Sequence, residues 1–245
     1  MALKLEKHLV LNSYFLNLFG FNEFDELREK LKDIQEGYDP TDRSYFADAL
    51  IGLKQEWESE LLRYDEAIRE YVERLRKNRK QPNFNLKYFQ YLAILFTEIF
   101  LDRYYNNKYK FVAELNDFVD EFNNENGTNI LPFTEEDLKK LAFWMATGSG
   151  KTLIMHVNYW QILKYSKNNW DNIILITPNE GLSKQHYEEL KLSGIPCKLY
   201  DGNIDNLKTK DGEILIIDIY KLTKEKKGAG AVSYTHLTLP TICSV

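Results

Sequence analysis

From the N-terminus to Gly127, apolar positions recur at three- and four-residue spacing, the period of amphipathic helices. "NEFDELREKLKDIQEG" reads as one such helix, with Asn22 as N-cap, Gly37 as stop, and Phe24, Leu27, Leu31 and Ile34 on one stripe. "TDRSYFADALIGL" predicts a shorter helix. "KQEWESELLRYDEAIREYVERLRKNRK" predicts a long one with Trp57, Leu61, Tyr64, Ile68, Tyr71 and Leu75 on a common face. Its basic end, "RKNRK", reads as a solvated last turn that complements the helix dipole. After Pro82, "NLKYFQYLAILFTEIFLDRYYNN" is apolar on most faces, and "KYKFVAELNDFVDEFNNENG" is a further amphipathic helix ending in a loop near Asn126 and Gly127.

The pattern changes near Thr134. "TEEDLKK" opens a short helix with Thr134 as N-cap and Asp137 reaching back to it. Three short apolar runs follow, "LAFWM", "IILIT" and "EILIID", the first two succeeded by helical stretches. Strand and helix in alternation predict an α/β domain with a parallel sheet. "PCKLYDG" offers one more strand. The expected organisation is a helical N-terminal domain over 1–133, the first part of an α/β domain over 134–230, and a tail over 231–245.

Composition narrows the picture in three ways. The 245 residues carry a net charge of -5, which speaks against a basic footprint over the whole surface but leaves room for a local track. Aromatic residues reach 14%, and their helical spacing assigns them to packing rather than base stacking. Two cysteines, Cys197 and Cys243, form no metal-binding pattern and fit a reduced, cytoplasmic setting. The N-terminus lacks the design of a signal peptide, and no apolar run reaches membrane-spanning length, so no membrane association is expected.

The chemistry is concentrated in "LAFWMATGSGKTLIMH". Gly148 and Gly150 allow a tight turn whose amides can point at phosphate oxygens. A helix starting near Lys151 adds the positive end of its dipole. Lys151 brings an ammonium to the β- and γ-phosphates of a nucleotide, and Thr152 offers a hydroxyl to Mg²⁺. Thr147, Gly148, Ser149, Gly150, Lys151 and Thr152 are thus the candidate ATP-binding residues, with Thr152 also the metal ligand and Lys151 the catalytic group. The strict P-loop pattern begins with glycine, and Met145 stands in that slot.

At these residues the chain resembles the superfamily 2 helicase-like ATPases of the DEAD/DEAH type. The likeness is closest to the restriction-enzyme branch that includes type III Res subunits. That branch tolerates "ATGSGKT" without the leading glycine. The resemblance implies a RecA-like domain using ATP and Mg²⁺, and ATP-driven movement along DNA. It also implies a modification methyltransferase subunit as a partner. A second match, "IILITPNEGLSKQHYEEL", places the family's contact with the nucleic-acid backbone on Thr177, Pro178 and Asn179. A loop at the carboxyl end of a strand lies on the ligand-binding rim of such sheets. "LKYFQYLA" resembles the family's adenine-reading segment and marks Gln90, although a helix glutamine at a buried edge fits the same residues. "EILIIDIYKL" ends its apolar run in Asp218 but continues with Ile219 where the family needs glutamate, so it resembles the preceding strand instead.

The tail "AVSYTHLTLPTICSV" can be written in codons that resemble a transposase-based sequencing adapter running to a stop, which makes residues 231–245 an expected laboratory scar. The chain is then expected to be the N-terminal fragment of a helicase or translocase, inactive by itself. Two other classes fit parts of the pattern: a P-loop kinase acting on a small molecule, and a non-hydrolysing helical interaction module with a degenerate ATPase.

Overall fold

The computed structural model describes residues 9–167, 170, 172–203, 206–223 and the backbone of 242–244. Of the tail, only that last backbone segment lies within the described residues. The chain divides into two compact units. One comprises residues up to Val72, Phe84–Trp144 and the end of the chain; the other comprises Glu73–Asn83 and Met145–Pro240.

The first unit is helical. It contains α1 (Val10–Leu18), α2 (Phe24–Leu31), α3 (Tyr45–Leu53), most of α4 (Glu58–Arg79) and α5 (Tyr88–Asn126). Leu61, Tyr64, Ile68 and Tyr71 of α4 are buried as their spacing predicts, and each fully buried aliphatic side chain contributes roughly 1.5–3 kcal/mol. The aromatic residues pack against one another, Phe15 stacking on Phe96 at 5.1 Å between ring centres. Three carboxylates are buried with partners, Glu98 among them, which accepts the Tyr71 hydroxyl at 3.4 Å. Asp65 accepts the Ser44 amide at 2.9 Å and the Tyr91 hydroxyl at 2.7 Å. Asp102 pairs with Arg63 at 2.7 Å and accepts the Tyr64 hydroxyl at 2.7 Å.

Three expectations shift here. α2 begins at Phe24, capped by Glu23 rather than Asn22, so Phe24 lies in the first turn and is exposed. Glu26 reaches back to the Glu23 amide at 3.2 Å, a capping box that fixes this start one residue later. Trp57 belongs to a separate 3₁₀ turn, Gln55–Trp57, and not to α4 itself. The two helices read after Pro82 are joined in α5, with a kink at Asn107 (φ −155°, ψ 71°) where the sequence pattern breaks. The Asn107 side chain accepts the Lys110 amide at 3.1 Å, as a cap does at a helix start. This unit also holds β1 (Leu141–Phe143), paired in parallel with β5 (Ile242–Ser244).

The second unit is α/β. α6 (Lys151–Ser166), β2 (Ile173–Thr177), α7 (Glu180–Leu192), β3 (Cys197–Leu199), β4 (Ile214–Asp218) and the short α8 (Ile219–Thr223) follow in order. The three strands form a parallel sheet in the order β2-β4-β3. β4 is buried at every position because it is central. Leu215 and Ile217 of β4 pack with Tyr200, Ile174 and Leu207. The register pairs Thr177 with Asp218, which sets both residues at the carboxyl rim. This is the parallel α/β arrangement that the alternating pattern predicts, after a helical region. No helix among the described residues is long and apolar enough to cross a membrane.

Candidate nucleotide and nucleic-acid site

The glycine loop follows β1 directly. The strand closes at Phe143, shorter than the apolar run, because Trp144 points into solvent and is 72% exposed. Gly148 (φ +79°) and Gly150 (φ +88°) are both left-handed, a conformation that disfavours any side chain. A Cβ at Gly148 would meet nothing within 4 Å, so the glycine is there for its backbone and not for close packing. Gly150 is the N-cap of α6, and its carbonyl accepts the Leu153 amide at 2.9 Å. Lys151 and Thr152 are the first two residues of α6, where helix amides have no carbonyl a turn behind them to accept. Thr147 is exposed, and Ser149 and Thr152 are half-buried.

Lys151 folds back over this loop. Its ammonium donates to the Met145 carbonyl at 3.0 Å and the Ala146 carbonyl at 3.2 Å. Both acceptors are neutral, and a phosphate oxygen is a stronger one. The donors present therefore suit a polyphosphate: amides, a helix terminus and one cation.

Thr177, Pro178 and Asn179 lie on the rim at the end of β2, but the Thr177 hydroxyl and the Asn179 side-chain oxygen are already engaged. The Thr177 hydroxyl is 2% exposed and lies 2.6 Å from the Ser183 hydroxyl. It also donates to the Asn179 carbonyl at 3.2 Å. Asn179 caps α7, its side chain accepting the Leu182 amide at 2.9 Å. Pro178 and Asn179 are exposed. What this rim offers a backbone phosphate is thus the amide end of α7.

Gln90 lies in the helical unit, apart from the unit that contains Lys151. It is buried, and its side-chain oxygen accepts the Lys87 amide at 2.9 Å as the closing arm of a capping box on α5. Asp218, which the sequence separates from a metal-holding acid, accepts the Tyr220 amide at 2.8 Å and so caps α8.

One polar cluster escaped the sequence pattern. Arg79, read there as part of a solvated turn, is only 14% exposed at its side chain. It pairs with Glu189 at 2.6 Å and donates to the Ser193 hydroxyl at 2.9 Å. Asn78 donates to the Ser193 carbonyl at 2.8 Å. The Ser193 hydroxyl lies 2.8 Å from Nδ1 of His156, a fully buried residue of α6. Burial pushes the His156 ring down to about 4, and the Arg79 charge adds to the effect. His186 nearby is lowered by burial as well. Arg79 and Asn78 sit over a hundred residues from their partners Glu189 and Ser193 in sequence, so periodicity held no signal for them. Among the described residues no group of three or more His, Cys, Asp or Glu could hold a metal.

A parallel sheet entered behind a left-handed glycine turn, with a lysine on the first residue of the next helix, makes the second unit a partial RecA-like α/β domain. A sequence model of the family described as "Type III restriction enzyme, res subunit" matches residues 65–238, more than half of the chain. The chain belongs to this family, in the helicase-like superfamily 2. No curated protein and no solved structure matches it.

Proposed function

We propose that this chain binds Mg-ATP through Thr147–Thr152 and belongs to an ATP-dependent DNA translocase or helicase of the restriction type. The observation that carries this reading is the Lys151 ammonium, whose hydrogen-bond partners among the described residues are two neutral carbonyls of its own loop, in a turn with two left-handed glycines. Bound ATP-Mg²⁺ supplies the phosphoryl group for hydrolysis. Lys151 holds the β- and γ-phosphates, Thr152 the metal, and the amide end of α6 neutralises charge. The rim at Pro178 and Asn179 takes the DNA backbone through the first amides of α7, without reading sequence. Gln90 is the proposed adenine contact, which requires it to release the Lys87 amide. A modification methyltransferase subunit is the proposed protein partner.

Hydrolysis also needs an acid that orients water and an arginine that meets the transition state. Neither role falls to a residue described above, so the chain alone should bind nucleotide and not turn it over. The experiment is calorimetric titration of Mg-ATP into the 245-residue chain and its Lys151→Ala form, with phosphate release followed in parallel. Binding lost in the variant, with no release from either, is expected. Brisk release abolished by Lys151→Ala would sink the claim of inactivity, and equal binding by both forms would sink the cradle. Residues 1–133, 134–230 and 231–245 are proposed as helical region, ATP-binding region and adapter-derived tail. Codons after Ala231 that differ from adapter sequence would remove the last of these.

A further inference from the structure

We infer that Arg79 and Asn78, on the last turn of α4, are positioning residues for the nucleotide cradle, acting through Ser193 and His156. This rests on the reading of Lys151 as a phosphate ligand.

α6 begins at the cradle and α7 begins at the rim beside Pro178 and Asn179. The far end of α7, at its C-cap Ser193, is tied to α6 by a hydrogen bond. There the Arg79 guanidinium donates to the Ser193 hydroxyl at 2.9 Å, and that hydroxyl meets His156 Nδ1 at 2.8 Å. A hydroxyl that accepts from Arg79 keeps its own proton for the neutral imidazole, so a continuous chain runs from α4 through α7 to α6. The second arm of Arg79 grips the Glu189 carboxylate at 2.6 Å, one turn back along α7. Asn78 completes the clamp on the Ser193 carbonyl. It packs so closely on Gly194 (φ +72°) that a Cβ there would stand 2.5 Å from its amide nitrogen. The end of α7 is therefore shaped to receive these two side chains. Arg74, one turn earlier on α4, adds a cation over the Trp160 ring of α6 at 5.9 Å.

His156 is a little over one turn from Lys151 on the same helix. A shift of α6 at His156 is carried to the cradle, because a helix moves as a rigid piece over so short a span. The family match opens at residue 65, inside α4, so this clamp lies within the matched residues.

Mg-ATP affinity of the full chain, measured by calorimetry beside its thermal unfolding, tests the inference. Arg79→Ala is expected to weaken binding about tenfold in protein that remains folded at the assay temperature. Arg79→Lys, which keeps the charge but not the fork, should recover part of the loss. Ser193→Ala leaves the Arg79–Glu189 pair in place and cuts the link to His156, so it should weaken binding similarly; it carries the test where Arg79→Ala does not fold. Lowered unfolding temperature with unchanged affinity, in Ser193→Ala and any folded Arg79→Ala, assigns the cluster to stability alone and overturns the inference. Equal binding by the unaltered chain and Lys151→Ala overturns the cradle reading itself, and the positioning role with it.

Discussion

The glycine loop and the end of β2 lie in the same unit, and both carry residues that match a family motif. They differ in what those residues are doing. At the loop, Lys151 rests on two neutral carbonyls of its own turn, and Gly148 faces open space. At the rim, the Thr177 hydroxyl is buried against Ser183, and Asn179 is occupied as the cap of α7. The first set is held ready with little of the fold depending on it. The second set supports the fold, and only its backbone is left for a ligand. A motif match therefore does not say whether a side chain faces its ligand or its neighbours. Hydrogen-bond partners do.

Acid should draw out the contrast between groups held ready and groups that support the fold most strongly. At the end of α7 remote from the rim, His156 of α6 is buried, faced by Arg79 of α4 and by Glu189 and His186 of α7. His156 is lowered from 6.5 to about 4, so the unfolded chain takes up its proton first as pH falls. The stability it contributes is complete above 6.5 and is lost as pH falls toward 4, on the order of 3 kcal/mol over that window. His186 shifts the same way. Urea unfolding at a series of pH values measures this, and a flat profile between those limits would break the contrast. Next in size, Lys151→Ala should cost about 100-fold in Mg-ATP affinity with little change in urea unfolding, since its partners in the fold are neutral carbonyls of its own loop, whereas with phosphate both ends of the bond are charged. Thr177→Val should do the reverse. It removes the shorter of the Ser183 hydroxyl's two hydrogen bonds and leaves the one to the Asn179 carbonyl, at a cost of about 1 kcal/mol, with nucleotide affinity unaltered. Weakened DNA binding without loss of stability would instead give Thr177 a direct contact. Asn179→Ala removes the cap of α7 and should cost about 1 kcal/mol by the same unfolding measurement.

The sequence disclosed what is encoded locally. "IILIT" is β2 and "ILIID" is β4, and "KTLIMHVNYWQILKYS" is α6 residue for residue. Thr134 and Asp137 bond as expected, at 2.7 Å, although the turn they open is only a 3₁₀ helix, Asp137–Lys139. Periodicity and capping act within a few residues, so a single chain displays them. The glycine loop was legible for the same reason. Arg79 was not, because its partners are Glu189 and Ser193 and nothing nearby marks it. An identical basic turn on a solvated helix reads the same. Gln90 shows the converse: a short motif singled it out, and a capping box three residues long employs it too.

The order β2-β4-β3 has a practical consequence for handling the protein. Among the described residues, β2 has a strand on one side only, and its outer row of amides and carbonyls borders apolar side chains, with Ile176 exposed. Such a border can recruit a second chain edge to edge. Self-association should then rise with concentration more steeply than the charge of -5 implies, and Ile176→Lys should relieve it.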